Sequence, residues 1–509
     1  MKFRTVSTMF SAIRERELQS SEHLRERSIT LHGQAFDLEQ LCGGNLVMGA
    51  SGSGKTVSVM NPLALCLAAD GSKDTKRKSA IIYFATKGRS HEDFIAALPP
   101  ERRSDVIHLK DSKNPTPFRL FPARHWKDSK ERAAAVEFVL ELQRHLANNP
   151  DDQGNHKVYW EGLTRSILTT FMEASQGQTK EQREAFCGDP NYGLLYSTDA
   201  FSCLLYRIDS FLEAYTNSKG VGTAGEGTET MSFSRWLRSM DTKSQGRVSD
   251  LIARLSGKDE HLMSYILSEL QGIQTSISTP LTKKLLLGPV EQSDESNSPW
   301  TFERVIDEGK ILVVDLPVGS VTDPERGTLV ALAQRAMQSI LRRRDAVSGG
   351  GPLNVVRPIV IVADEFHGYL VSKGRSDGLD HFLSRCREFG AIVILATQSI
   401  PLLTATYRDV NRCESLLSHV RNLIVGRCLC ERSNQWATHF AGLTPVTPRP
   451  AYPNWHEDPD LEEFLSSPKR SVPRIGPFEL QSLPTGVFIA YETSGRLTRL
   501  DARKKDEPL

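Results

Sequence analysis

Residues Gly49-Ala50-Ser51-Gly52-Ser53-Gly54-Lys55-Thr56 follow the apolar run Asn45-Leu46-Val47-Met48 and precede a helix-compatible stretch, Val57 to Leu67. The octet fits G-x-x-x-x-G-K-[ST] in the strand–loop–helix setting that a phosphate-binding loop requires. Anhydride phosphates are dense negative charge. Successive backbone N–H groups and a helix N-terminus surround them only where side chains do not intrude, which is the reason for the glycines. Gly49, Ser51, Gly52, Ser53, Gly54, Lys55 and Thr56 are therefore the expected phosphate-binding residues. Lys55 is expected to reach the β/γ-phosphates, and the Thr56 hydroxyl to ligate Mg²⁺. A motif that needs a strand before it and a helix after it commits the chain to an α/β domain.

The chain has 509 residues, room for several domains, and a formal net charge of +1. No global charge recruits nucleic acid, so any such binding must use local patches or a surface made by oligomerisation. The eight cysteines are scattered, and Cys428-Leu429-Cys430 is the only close pair. It falls in a strand-like stretch with no histidine at metal spacing, so the thiols read as structural and the compartment as reducing. The 13 histidines do not cluster with carboxylates at metal spacing, and no nuclease constellation is expected. The apolar runs Val360–Ala363 and Ala391–Ala396 are strand length, far short of the roughly 20 residues of a membrane span. Met1-Lys2-Phe3-Arg4 lacks the apolar core of a signal peptide. The expected location is the cytoplasm, with any membrane association made through a partner.

Read in order, residues 1–43 form a lead-in: a helix over Phe10 to Leu24, then a hairpin of Ser28–Leu31 and Gln34–Leu38 across His32-Gly33. Residues 44–122 supply the first half of the α/β domain, with strands expected at 45–48, 80–84 and 105–109. Residues 123–300 change character. Asp128 and Glu131 make a capping box, and Val136, Val139, Leu140 and Leu146 lay an apolar stripe on one helical face. Several further helical stretches follow, and the segment reads as a mostly helical domain inserted into the first. Residues 301–500 resume the strands at 311–316, 358–363, 391–396, 422–425 and 487–491. Residues 501–509 read as a charged tail.

Asp364-Glu365 stands at the end of the most apolar strand, Ile359-Val360-Ile361-Val362-Ala363. In a parallel sheet the carboxyl edge carries the ligand site. Asp364 there suits Mg²⁺ through its water shell, and Glu365 suits polarising an attacking water, the positioning that phosphoryl transfer asks for. Gln398 ends the next strand, where an amide can hydrogen-bond both a γ-phosphate and water. Arg385 and Arg387 precede that strand. Either fits an arginine finger reaching across a subunit interface, with Arg387 the preferred candidate.

Four pieces together resemble one group: GASGSGKT at 49–56, VIVADE at 360–365, the V-D-L-P turn at 314–317, and R-x-F-G-x-I-V-I-L-A-T-Q-S at 387–399. They are similar to the FtsK–HerA superfamily of hexameric ATPases, and within it to the type IV secretion and conjugation coupling proteins (the TraG/TraD-like group). Lys87-Gly88 followed by Pro99-Pro100-Glu101-Arg102 and Asp105-Val106-Ile107 resembles a further block of that group. So do Tyr159-Trp160-Glu161 before a helix and Gln398-Ser399 followed by Leu402-Leu403 and Tyr407. The resemblance covers residues 28–123 and 300–495 well and the helical insertion weakly.

It implies a RecA-like P-loop NTPase with a mainly parallel sheet and ATP and Mg²⁺ as cofactors. It further implies a ring homo-hexamer that moves DNA or a DNA–protein cargo. It assigns Lys55 and Thr56 to ATP–Mg²⁺, Glu365 as catalytic base, Gln398 as sensor and Arg387 as the residue given in trans. Two departures stand out. The membrane coupling proteins carry N-terminal spanning helices, and this sequence shows no such run. The strand before Lys87 ends in Ala85-Thr86, where the family commonly has Asp.

Three functions fit. One is a DNA-translocating ATPase, with Lys73, Lys76, Arg77 and Lys78 as basic-loop residues for DNA of either strand form. The second is a nucleotide-gated recruitment module for protein cargo, such as a relaxase or secretion-apparatus partner. The third is the ATPase subunit of a nuclease-linked repair or anti-phage complex.

Overall fold

The computed structural model describes residues 27–85, 90–110, 300–316, 325–347, 357–370, 378–407, 409–446 and 470–503, with isolated positions between 116 and 250. The expected helix over Phe10–Leu24, the Lys87-Gly88 pair, Tyr159-Trp160-Glu161 and nearly all of 123–299 lie outside the described residues.

In chain order the strands are β1 (Ser28–Leu31), β2 (Gln34–Asp37), β3 (Gly43–Met48), β4 (Ala80–Ala85), β5 (Val106–Lys110), β6 (Ile311–Asp315) and β7 (Ile359–Ala363), then β8 (Ala391–Thr397), β9 (Val420–Val425), β10 (Leu443–Val446), β11 (Arg470–Pro473), β12 (Val487–Tyr491) and β13 (Leu497–Asp501). Nine of them form one sheet in the order β13-β12-β9-β3-β8-β7-β4-β6-β5. From β9 to β5 every neighbouring pair is parallel. The hairpin β12–β13 closes the other end antiparallel. β1 and β2 make the expected small hairpin.

The parallel strands are continuous apolar runs because both faces are covered. On β4 and β7, Ile82, Phe84, Ile361 and Ala363 enter one core, and Ile81, Tyr83, Val360 and Val362 enter the other. The helix Glu325–Val347 packs into the first through Leu329, Leu332, Ala336 and Ile340. The helix Asn61–Ala69 packs into the second through Leu63, Ala64, Leu67 and Ala68. Burying each of the large side chains contributes about 1.5–3 kcal/mol, so the sheet is the rigid frame on which the strand-end loops are hung. Val136 and Leu140, two residues of the expected apolar stripe, are buried in the first core. Phe118 bridges to Trp300, so the chain leaves and re-enters the sheet domain at adjacent points.

Several local expectations are corrected. The helix after the phosphate loop opens with a π-helical turn, Lys55–Met60, before becoming α-helical at Asn61. Cys428 and Cys430 do not lie in a strand: β9 ends at Val425, and both residues fall in the loop before the helix Glu431–Ala441. An added Cβ on Gly426 would stand 2.5 Å from Phe488 Cε1, so only glycine lets the chain turn off the sheet there. The C-terminal tail begins later than expected, because Asp501 is the last residue of β13 and pairs with Val487. Gly390 caps its helix in the left-handed region at φ +66°, as a C-cap glycine does. No helix among the described residues is long and apolar enough to cross a membrane.

Candidate active site

β3, β8 and β7 are consecutive in the sheet and parallel, so their carboxyl ends open at one edge. Each end delivers a predicted residue: the phosphate loop after Met48, Gln398 after Thr397, and Asp364-Glu365 after Ala363. The sheet order therefore gathers groups as far apart in the chain as Thr56 and Asp364, 308 positions.

The loop is pinned from several sides. Gly49 N–H donates to Thr397 O at 3.3 Å, Ala50 N–H to Arg427 O at 2.8 Å, and Gly486 N–H to Ser53 O at 3.1 Å. Gly52 and Gly54 adopt φ +74° and +93°, a region that side-chain-bearing residues avoid. Lys55 is buried, and its ammonium donates to Gly49 O at 2.7 Å and Ala50 O at 3.2 Å. The lysine thus stands inside the loop that its own backbone forms.

Thr56 Oγ1 donates to Asp364 Oδ2 at 2.8 Å. Burial raises the Asp364 carboxyl above its ordinary range, the Thr56 hydroxyl pulls it back, and neighbouring Glu365 pushes it up again. Two hard oxygen donors side by side suit Mg²⁺. Thr56 would offer its hydroxyl to such an ion directly, and Asp364, hydrogen-bonded to that hydroxyl, would hold the ion through its water shell. Thr56 and Asp364 thus fit the ion.

Glu365 sits at φ +48°, ψ +42°, one of two residues other than glycine with positive φ among those described. Holding a side-chain-bearing residue there costs about 1–3 kcal/mol, and such strain collects at working sites. Its Oε1 accepts from Gln398 Nε2 at 2.7 Å, so the acidic residue and the amide are coupled directly. Two further groups escaped sequence reading. His367 Nδ1 lies 3.6 Å from Glu365 Oε2, and the Tyr369 hydroxyl donates to Asp364 O at 3.2 Å. Their one sequence signal is that they follow closely on Asp364-Glu365.

Arg387 is not brought to this site. It precedes β8, at the opposite edge of the sheet, and a seven-residue strand puts roughly 20 Å between the two ends. Its side chain is half exposed, 3.6 Å from Glu39 Oε1. Arg385 is also exposed at that edge. In the basic loop, Lys73 and Lys76 are exposed, and Arg77 pairs with Asp74 at 3.4 Å. Lys78 is engaged structurally, its ammonium 2.8 Å from Asp105. The expectation that no histidines cluster with a carboxylate is overturned: His91, on the helix Ser90–Ala97, meets His108 of β5 and Asp315 of β6.

No protein-family model matches the chain, and no curated protein sequence does. Solved structures do. The bacterial conjugative coupling protein TrwBΔN70, in its unbound form, superposes with a TM-score of 0.58 at 15% identity, covering 94% of this chain and 88% of that one. The plasmid coupling protein TrwB in complex with ADP and Mg²⁺ gives 0.56 at 14% identity, over 95% and 91%. TrwB with a non-hydrolysable ATP analogue gives 0.56 at 13% identity over the same shares. The α/β sheet, the phosphate loop and the order of the strand ends are thus those of a P-loop NTPase fold, and in fold this chain is similar to the bacterial conjugative coupling proteins.

Proposed function

We propose that this chain is an ATP-hydrolysing motor that moves DNA, or a DNA–protein cargo, and works as a ring homo-hexamer. One observation carries the reading: Thr56, Asp364, Glu365 and Gln398 meet at the ends of three adjacent strands, linked by contacts of 2.8 and 2.7 Å. Those are the groups that nucleotide hydrolysis needs and that a passive binding module does not. The coupling-protein fold and the sequence blocks at 49–56, 360–365 and 387–399 favour DNA as the cargo.

The phosphate loop holds the triphosphate through backbone N–H groups, with Lys55 turning from its carbonyl partners to the β/γ-phosphates. Thr56 would hold Mg²⁺ directly and Asp364 through its water shell, and the ion would supply charge neutralisation to the phosphate oxygens. Glu365 accepts a proton from the attacking water as the Pγ–O bond to ADP breaks. Gln398 orients Glu365 through its amide, and loss of the γ-phosphate changes what that amide can bond. A change at the end of β8 then passes along a rigid strand to the opposite edge, where Arg387 lies. That exposed edge position suits a residue offered to a neighbouring subunit.

A protein roadblock on linear DNA tests the reading. The motor should displace streptavidin from a biotinylated end in an ATP-dependent manner, and Glu365→Gln should not. Robust hydrolysis without displacement on either strand form would move the reading to nucleotide-gated recruitment of a protein partner.

A further inference from the structure

A second polar cluster stands on the carboxyl edge of the sheet, away from the nucleotide site at the β5–β6 end. β5 and β6 are parallel neighbours with His108 opposite Val313 and Lys110 opposite Asp315. His108 and Asp315 therefore project from the same face, two positions apart along the strands. The helix Ser90–Ala97 lies over that face, with Phe94 stacked on Tyr83 at 5.0 Å between centroids. Its second residue, His91, comes down on Asp315. His91 Nε2 and His108 Nε2 each stand 3.2 Å from one oxygen, Asp315 Oδ2. The two rings are 5.4 Å apart at 63°.

Donor chemistry, spacing and burial agree. Donors around a tetrahedral Zn²⁺, at 2.0–2.1 Å from the ion, stand about 3.3 Å from one another. The two observed separations of 3.2 Å match that edge. His91 is 4% exposed and sits in the first turn of its helix, so packing holds its ring against Asp315. Imidazole donors suit zinc-class ions and not Mg²⁺, which sets this cluster apart from the oxygen pair Thr56 and Asp364. Lys110, beside Asp315, is exposed and carries its charge to solvent. Asp315 and His108 side chains are 24% and 25% exposed, so a fourth position opens outward.

We propose that His91, His108 and Asp315 form a binding site for a divalent transition-metal ion of the zinc class. A bound ion ties together a helix and two strand ends that only the fold brings together. It leaves one coordination position for water or an anionic ligand on the same sheet edge as the nucleotide.

Cobalt(II) is the probe. The purified full chain, stripped with a chelator, should take up about one Co²⁺ with the visible bands of a four-coordinate ion, and Zn²⁺ should bleach them. Asp315→Asn preserves side-chain size and His108→Asn keeps a polar, smaller side chain, and each should lose the bands while still binding a fluorescent ATP analogue. Glu365→Gln and Thr56→Ala should keep them. Zn²⁺ should also raise the melting temperature of the wild type and not of Asp315→Asn. A wild-type chain that takes up no Co²⁺ overturns the proposal whatever the variants do. So do His108→Asn and Asp315→Asn chains that bind it as the wild type does.

Discussion

Asp105→Asn should destabilise this protein without touching its nucleotide chemistry. Asp105 is 5% exposed and stands among three cations at the amino edge of the sheet. Lys78 Nζ lies 2.8 Å from one oxygen, Lys310 Nζ 2.9 Å from the other, and Arg102 Nε 3.1 Å from the first. Arg102 is fully buried, and it also donates to Ser79 O and Gly309 O, both at 2.9 Å. These contacts lock the starts of β4 and β6 together, which gives physical content to the Pro99-Pro100-Glu101-Arg102 and Asp105-Val106-Ile107 block. Burial raises the Asp105 carboxyl, yet the Lys78 and Lys310 hydrogen bonds outweigh it and hold it below the usual range. The stability it contributes is therefore present above the ordinary carboxylate range and is lost as pH falls through the depressed value.

Removing one partner of a buried ion pair costs about 3–5 kcal/mol, because the remaining charge is left uncompensated. The two lysines are partly exposed and can turn to water, and Arg102 cannot. The low end, about 3 kcal/mol, is therefore expected, which for a unit of this size corresponds to a fall of about 3–5 °C in melting temperature. Scanning fluorimetry at a fixed scan rate measures it. The substitution lies at the sheet edge opposite the phosphate loop, so fluorescent ATP-analogue binding at low temperature should be unchanged. A melting temperature within about 1 °C of wild type would refute the reasoning, since it corresponds to at most about 1 kcal/mol.

Four further outcomes follow from the site and its surroundings. Gln398→Ala should lower ATP turnover about 10²-fold with nucleotide affinity retained, measured by steady-state kinetics, because it removes the amide that holds Glu365. Mg²⁺-dependent binding of a fluorescent ATP analogue should weaken as pH falls, starting above the ordinary aspartate range, because the buried Asp364 carboxyl protonates early. A flat profile across mildly acidic pH would contradict that. Lys73→Ala with Lys76→Ala should flatten the salt dependence of DNA binding by about 0.9 in log–log slope for each phosphate that the lysines neutralise. Gly426→Ala should destabilise the turn after β9 by about 1–3 kcal/mol through the collision with Phe488, read as a lower melting temperature.

The candidate nucleotide site was legible because its residues are local in sequence and chemically distinctive. A phosphate loop and an acidic pair after an apolar strand announce themselves, and the parallel order β3-β8-β7 sets them side by side. What escaped was set by the fold. His91 and His108 belong to different elements, and Asp315 lies beyond the long segment 123–300. Nothing local connects them; the pairing of β5 with β6 and the packing of the helix Ser90–Ala97 over those strands do. β13 escaped because Leu497-Thr498-Arg499-Leu500-Asp501 is short and polar, and it pairs at the sheet's edge. Arg387 lies far from its own chain's site.

Steady-state ATP hydrolysis by the purified protein, alone and with single- or double-stranded DNA, tests the central claim most directly when run against Glu365→Gln. The predicted result is hydrolysis stimulated by DNA and reduced about 10²–10⁴-fold by the substitution, the usual contribution of a general base. Hydrolysis at the same rate in both proteins would contradict the assignment of Glu365 and, with it, the motor.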